Sequence, residues 1–217
     1  MRAYGSFYDK EVSADDFMDE QEMFNKAARI FEIELIETIR IKCGKGATKY
    51  YNYVLIGDKD FYKFKNAVAK MGFNNSTLDL FLSGCIYFGK GQADRPFKHF
   101  DEALNNEVNN EKVFAIRKIW ERGDGVIVLT FFHDSSSYVA ATREAIMIDF
   151  VGLENLNNQR KGSYYGGVKQ WGVNVILNMG KFYITQIMTK YIDRHVEPVM
   201  RKDFCKMGGG DLLTAIK

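Results

Sequence analysis

Three short runs rich in aromatic and β-branched residues stand out as strand candidates: 50–56 (YYNYVLI), 85–88 (CIYF) and 126–132 (VIVLTFF). The stretches between them are too long for hairpin turns and carry the spacing of amphipathic helices. Pro96 and Pro198 are the only prolines, so little interrupts helix formation. The pattern predicts helices at 13–40, 59–71, 94–104, 111–122, 137–151 and 171–195. Three strands among so many helices predict a small α/β or α+β domain, a three-stranded sheet flanked by helices.

Local signals set the boundaries. Ser13 can cap the first helix, with Asp15 and Asp16 in its first turn. Phe17, Phe24, Ala28, Phe31 and Leu35 form one apolar stripe along it, which either caps the domain or makes a dimer seam. Gly44-Lys45-Gly46 ends that helix and lacks the earlier glycine of a phosphate loop. Gly72 and Asn74-Asn75 read as a stop, and Gly89-Lys90-Gly91 as a glycine turn. Pro96 fits only the first turn of its helix. Ser135-Ser136-Ser137 caps the helix that Gly152 ends.

Apolar residues at 46% and charged residues at 27% exclude a disordered or collagen-like chain. The near balance of 30 Lys/Arg against 28 Asp/Glu hides a gradient. Residues 1–40 hold five basic and ten acidic residues, and residues 158–206 hold nine and three. The basic end is either a solvated face or a surface for phosphate. Cys43, Cys85 and Cys205 have no paired spacing, which excludes a disulfide framework or a cysteine-rich zinc site. No run has the ~18 apolar residues of a membrane span, and MRAYGSFYDKEVSADD lacks a leader's apolar stretch. An intracellular protein, nuclear or cytoplasmic, is expected.

Two places look chemical. On a helix, Glu144 shares its surroundings with Ala140, Ala141, Met147, Ile148 and Val151. A carboxylate there must meet a cation, either a divalent metal or a buried Lys or Arg. Arg95 and His99 lie four apart, on a helical face opposite Phe97, Phe100 and Leu104. With Tyr87 and Lys90 just before them, they can surround a phosphate. His133 and His195 have no ligand spacing and read as structural.

These residues resemble a known family. Ile86-Tyr87-Phe88-Gly89-Lys90-Gly91 followed by Arg95 and His99 is similar to the second half of a GIY-YIG nuclease core. The segments FGKGQADRPFKHFDEAL and TREAIMIDFVGLENLNNQRKG, then YYG, resemble the ankyrin-repeat and LEM-domain-containing endonucleases of animals. The resemblance spans about residues 50–195. It departs in the first motif, where Tyr51-Asn52-Tyr53 lacks Gly-Ile, and in the 34 positions from Tyr53 to Tyr87. Ankyrin repeats and a LEM domain are not seen, so the chain is a catalytic piece or a short relative. The implied organisation is an N-terminal helical extension (1–45), a nuclease core (46–165) with a helical insertion at about 58–82, and a C-terminal helical extension (166–217).

The resemblance implies a metal-dependent, structure-selective DNA endonuclease acting on branched or bridged DNA in repair. It makes Tyr87 the general base, with Tyr53 (or Tyr51) as the first-motif tyrosine. Lys90 and Arg95 hold the scissile phosphate, and His99 orients Tyr87 or relays its proton. Glu144 binds one divalent metal, Mg²⁺ or also Mn²⁺, and Asn158 (or Asn157) braces the site. Nearby cations, Lys90, Arg95 and the metal itself, are expected to favour the phenolate of Tyr87 and lower it from its usual ~10. Arg160, Lys161 and Lys169, with Lys181 and Lys190, are expected to follow the DNA backbone. The alternatives are a catalytically silent DNA-binding or scaffold module, and a mobile-element nickase of the same fold.

Overall fold

The structure, a computed structural model, describes residues 14–105 and 107–206, with side chains from Glu22 to Cys205. The Ser13 cap, the first-turn aspartates and Phe17 lie outside these described parts. A three-stranded antiparallel sheet runs β1 (Tyr50–Gly57), β2 (Cys85–Gly91) and β3 (Val126–Ser135), in the order β2-β1-β3. Around it, the described residues form α1 (Ala14–Cys43), α2 (Asp58–Met71), α3 (Asn75–Gly84), α4 (Lys98–Leu104), α5 (Glu111–Glu121), α6 (Ser137–Val151), α7 (Val173–Tyr191) and α8 (Arg201–Lys206). The expected fold class is the one found.

Alternation along the strands builds two cores. Val54 and Ile56 of β1, Phe88 of β2, and Ile127, Leu129 and Phe131 of β3 point to one side. They meet Leu35 and Ile39 of α1, Ile146 and Met147 of α6, and Tyr183, Ile184 and Ile187 of α7. Tyr53, Leu55, Ile86 and Val128 point to the other side, against Phe100 of α4, Val113, Ile116 and Trp120 of α5, and Phe204 of α8. Central β1 therefore reads as an unbroken apolar run from Tyr53 to Ile56, because both its faces are covered. The segments expected as terminal extensions share the first core. Glu32 of α1 accepts hydrogen bonds from Arg143 of α6 and Tyr183 of α7, which ties α1 to the helix that carries Glu144.

Several boundaries differ from expectation for local reasons. Asn74 does not merely end α2. Its side chain accepts from the Thr77 N–H, and Thr77 answers with its hydroxyl, a capping box that starts α3. Gly89-Lys90-Gly91 is no turn but the end of β2. The helix expected at 94–104 begins only at Lys98. Residues 95–97 are held by turn bonds, Arg95 N–H to Gln92 C=O and Phe97 N–H to Asp94 C=O. Ser136 caps α6 by accepting from the Val139 N–H, as its sequence suggests. Gly44 and Gly46 have positive φ where the chain leaves α1, and no helix follows them to cradle a phosphate.

Candidate active site

The site is assembled at the free edge and one face of β2. Tyr53 stands on β1 and is 1% exposed. Its Oη shares a 2.7 Å hydrogen bond with Nε2 of His99 on α4. Tyr87 on β2 completes an aromatic triangle. Its ring centroid lies 6.1 Å from that of Tyr53 and 5.2 Å from that of His99. Glycine makes this approach possible. A Cβ at Gly89 would stand 2.4 Å from Tyr53 Cζ and 2.7 Å from Tyr87 Cε1. A Cβ at Gly91 would stand 2.5 Å from the Cβ of Arg95. The two glycines serve side-chain packing across β2 rather than a turn. Tyr51, the other candidate first-motif tyrosine, is committed elsewhere. It donates to the Ala93 carbonyl at 2.6 Å and stacks on His133.

The outer edge of β2 is covered by polar groups at every second residue. The Asn157 N–H and side chain both donate to Ile86 C=O. Asn158 brackets Phe88, accepting its N–H at 3.0 Å and donating to its C=O at 2.7 Å. Two residues further on, Glu144 lies near the backbone N–H of Lys90, which helps hold its carboxyl down. The two candidate asparagines thus share one task on adjacent residues of the edge, closing a strand that would otherwise stay unpaired.

Glu144 is the electrostatic centre. Among the described residues no Lys, Arg or His nitrogen lies within 4.0 Å of its carboxylate. Burial therefore raises its pKa to about 7, against the opposing pull of the Lys90 ammonium and backbone N–H. Of the two partners left open by its sequence, a contact Lys or Arg pair is not found. Lys90 instead reaches Ser137 Oγ at 3.4 Å and lies over the Tyr50 ring. No three His, Cys, Asp or Glu side chains among the described residues converge on one point. The donor set suits a hard cation that takes one carboxylate and fills its other positions with water and phosphate oxygens, as Mg²⁺ does. Beneath β1, Asn52 donates to Ala140 C=O one turn from Glu144, while its own Oδ1 is buried without a partner among the described residues.

One expectation needs correction. His99 does not share an unpacked face with Arg95. It is 0% exposed, inside α4, while Arg95 lies in the turn before that helix and keeps 40% of its side chain exposed. From the chain's own groups alone, Tyr87 is pushed up to about 12. Burial and the Glu144 charge raise it more than Arg95 and a hydrogen bond from Tyr53 lower it. Burial also raises Tyr53, well above the ordinary phenol.

Two contributors have no motif to announce them. Glu102 of α4 pairs with Arg95 at 3.7 Å. Lys112 of α5 lies 3.1 Å from Glu102 and 2.6 Å from His99 Nδ1, with its ammonium over the Tyr87 ring. Each is a lone charge on an amphipathic helix, and only the docking of α4 on α5 brings them behind His99.

Arg160 and Lys161 follow Asn158 after Gln159 and are exposed, with Lys161 at 4.0 Å from Asp149. Lys169 is exposed on a 3-10 turn seated on α1 through a 3.0 Å bond from the Gly167 N–H to Thr38 Oγ1. Lys190, grouped with them by charge, spends its ammonium on the Thr130 carbonyl at 2.8 Å. A cleft lined by Lys49, Gln92, Ala93, Asp94 and Lys98 opens beside Tyr51. No helix among the described residues is long and apolar enough to cross a membrane.

The chain is 31% identical over 122 residues to the ankyrin repeat and LEM domain-containing protein 1 homolog of Caenorhabditis elegans, covering 53% of the chain and 17% of that protein. It is 38% identical over 99 residues to ankyrin repeat and LEM domain-containing protein 1 of Mus musculus (43% of the chain, 18% of that protein). The Homo sapiens protein of that name is 35% identical over 102 residues (43% and 17%). The matches thus span less than a fifth of these relatives. No solved structure matches the chain. The LEM-3-like GIY-YIG domain, a nuclease-type domain, matches residues 50–206, from the start of β1 to the end of α8. On that match the chain belongs to the LEM-3-like GIY-YIG domain family.

Proposed function

We propose that the chain is a divalent-metal-dependent DNA endonuclease that hydrolyses phosphodiester bonds in branched or bridged DNA. The observation that carries this reading is Glu144. It is a half-buried carboxylate with no cation in contact among the described residues, and it lies beside Lys90 at the edge of the Tyr53, Tyr87 and His99 cluster. Glu144 would hold Mg²⁺, with Mn²⁺ as a substitute. The bound cation supplies positive charge against the phosphate and leaving oxygens. Lys90 and Arg95 hold the scissile phosphate and offset the charge that develops on it.

Tyr87, once its own phenol proton has left to solvent, takes the proton of the attacking water as phenolate. At rest it is a neutral phenol, held up by burial and by the Glu144 charge. When that charge is compensated, the remaining Arg95 charge and Tyr53 hydrogen bond draw the phenol down. His99 fixes Tyr53 in place. Asn158 holds the β2 edge straight, so that Tyr87 and Lys90 keep their spacing.

Selection of DNA by shape fits the surface, because the exposed Lys49 and Lys98 line the cleft beside Tyr51 and the exposed Arg160 and Lys161 come shortly after Asn158. They suit phosphates more than base edges. The three cysteines, all free thiols, fit work inside the cell, in nucleus or cytoplasm. The test is incubation with labelled duplex, single strand, flap, fork and four-way junction in Mg²⁺, Mn²⁺ or EDTA. Metal-dependent cutting of the branched substrates is expected. Binding without cutting in either metal would replace this reading with a silent DNA-binding module.

A further inference from the structure

The ring nitrogen of His99 that faces away from Tyr53 has two competitors. Glu102 Oε2 stands 3.2 Å from Nδ1, and Lys112 Nζ stands 2.6 Å from it. A neutral imidazole carries one proton, on Nδ1 or on Nε2. A proton on Nδ1 could serve Glu102 but would point into an ammonium that has no lone pair to receive it. A bare Nδ1 accepts from Lys112 at the shorter distance, and Lys112 still has hydrogens left for Glu102 at 3.1 Å. His99 is fully buried. Its burial and the Lys112 and Arg95 charges keep it neutral, with its pKa lowered to about 4. The choice between tautomers therefore governs the hydrogen bonds beyond it.

We propose that Lys112 is a positioning residue that fixes His99 as its Nε2–H tautomer, so that every donor behind the site points toward the Tyr87 oxygen. Nε2–H donates to Tyr53 Oη at 2.7 Å. Tyr53 Oη, its lone pair engaged, is left with its own hydrogen to turn toward the neighbouring Tyr87, whose ring centroid lies 6.1 Å from its own. The Tyr87 oxygen is thereby an acceptor on its inner side, which favours its phenolate form. The opposite tautomer would make Nε2 an acceptor. Tyr53 would then donate inward to His99, and Tyr87 would lose its donor. Glu102 has the secondary task of keeping Lys112 charged where it is buried, and it also holds Arg95 at 3.7 Å. The arrangement itself stands on these contacts, and its kinetic consequence rests on the nuclease reading.

The test is the side-chain ¹⁵N spectrum of the full chain near neutral pH. The sequence holds three histidines, and a His99→Gln variant identifies the signals of His99. Wild type is expected to show a bare Nδ1 and a protonated Nε2 at His99. Lys112→Met is expected to move the proton to Nδ1, facing Glu102, and Glu102→Gln is expected to leave it on Nε2. On junction DNA, Lys112→Met should cut roughly 100-fold more slowly with unchanged DNA binding, as expected when a catalytic histidine is held in the wrong tautomer. A wild-type His99 protonated on Nδ1 overturns the proposal without any variant having to fold. So does an unchanged tautomer in a folded Lys112→Met, or cutting at the wild-type rate in that variant. The expected tautomers in a chain that cuts no DNA would uphold the role of Lys112 and refute the nuclease reading alone.

Discussion

Glu144→Gln is expected to destroy activity while making the protein more stable, and the gain depends on pH in a direction the structure dictates. The carboxyl of Glu144 moves from its usual 4.5 in the unfolded chain to about 7 in the folded one. Each tenfold change in proton affinity is worth about 1.4 kcal/mol. Below pH 4.5 both states hold the proton and the group contributes nothing. Between 4.5 and 7 the unfolded chain releases the proton while the folded chain keeps it, so stability falls as pH rises. Above 7 the full penalty, about 3 kcal/mol, is present. A glutamine stays neutral throughout and can still accept the Lys90 N–H.

Urea denaturation of both proteins in EDTA at pH 5 and pH 8 isolates this group, since all other titrations cancel in the difference. The advantage of Glu144→Gln should grow by about 2 kcal/mol between the two pH values, allowing for solvent at a half-buried site. Adding Mg²⁺ at pH 8 should stabilise wild type and leave the variant unmoved. A difference that does not change with pH would mean that the charge is already compensated within the chain, and the reasoning about a vacant counter-charge would fail.

Gly89→Ala is expected to cost about 1–3 kcal/mol and to abolish cleavage, because its methyl would displace Tyr53; thermal melts and cleavage rates check it, and a fully active variant refutes the packing argument. Glu32→Ala should destabilise the protein by about 3 kcal/mol or more by stranding Arg143, and Glu32→Met with Arg143→Met should recover most of that loss in urea titrations. Replacing Arg160, Lys161 and Lys169 together by Gln should weaken binding to every DNA and flatten the salt dependence, by about 0.9 in log–log slope per lost phosphate contact. An unchanged slope would show that these cations are merely solvated.

The parts legible in the sequence are those that depend on local periodicity. β1 and β3 announce themselves as apolar runs, and α6 carries both its serine cap and its terminating Gly152. Glu144 is conspicuous because a carboxylate interrupts an apolar helix. The parts that were not legible depend on packing between distant segments. His99 looked exposed because Pro96 and the residues around it were read as α4's first turn, whereas they form separate turns and carry Arg95 away from the helix. Gly89 and Gly91 looked like a turn because nothing local says that Tyr53 and Arg95 must cross β2 there. Lys112, Glu102 and the Glu32–Arg143 pair are ordinary charges on ordinary helices, and only tertiary contact gives them partners. The upward pull of the chain's own groups on Tyr87 is hidden for the same reason, since neither its burial nor the closeness of Glu144 is written in its neighbours.

The central claim is that one carboxylate, Glu144, supports phosphodiester hydrolysis. The most direct test is single-turnover cleavage of a labelled four-way junction in Mg²⁺ by wild type and by Glu144→Gln, with junction binding measured on the same samples. The account predicts cutting by wild type that EDTA stops, no cutting by the variant, and binding of similar strength in both. Cutting by Glu144→Gln at a rate near that of wild type would contradict it.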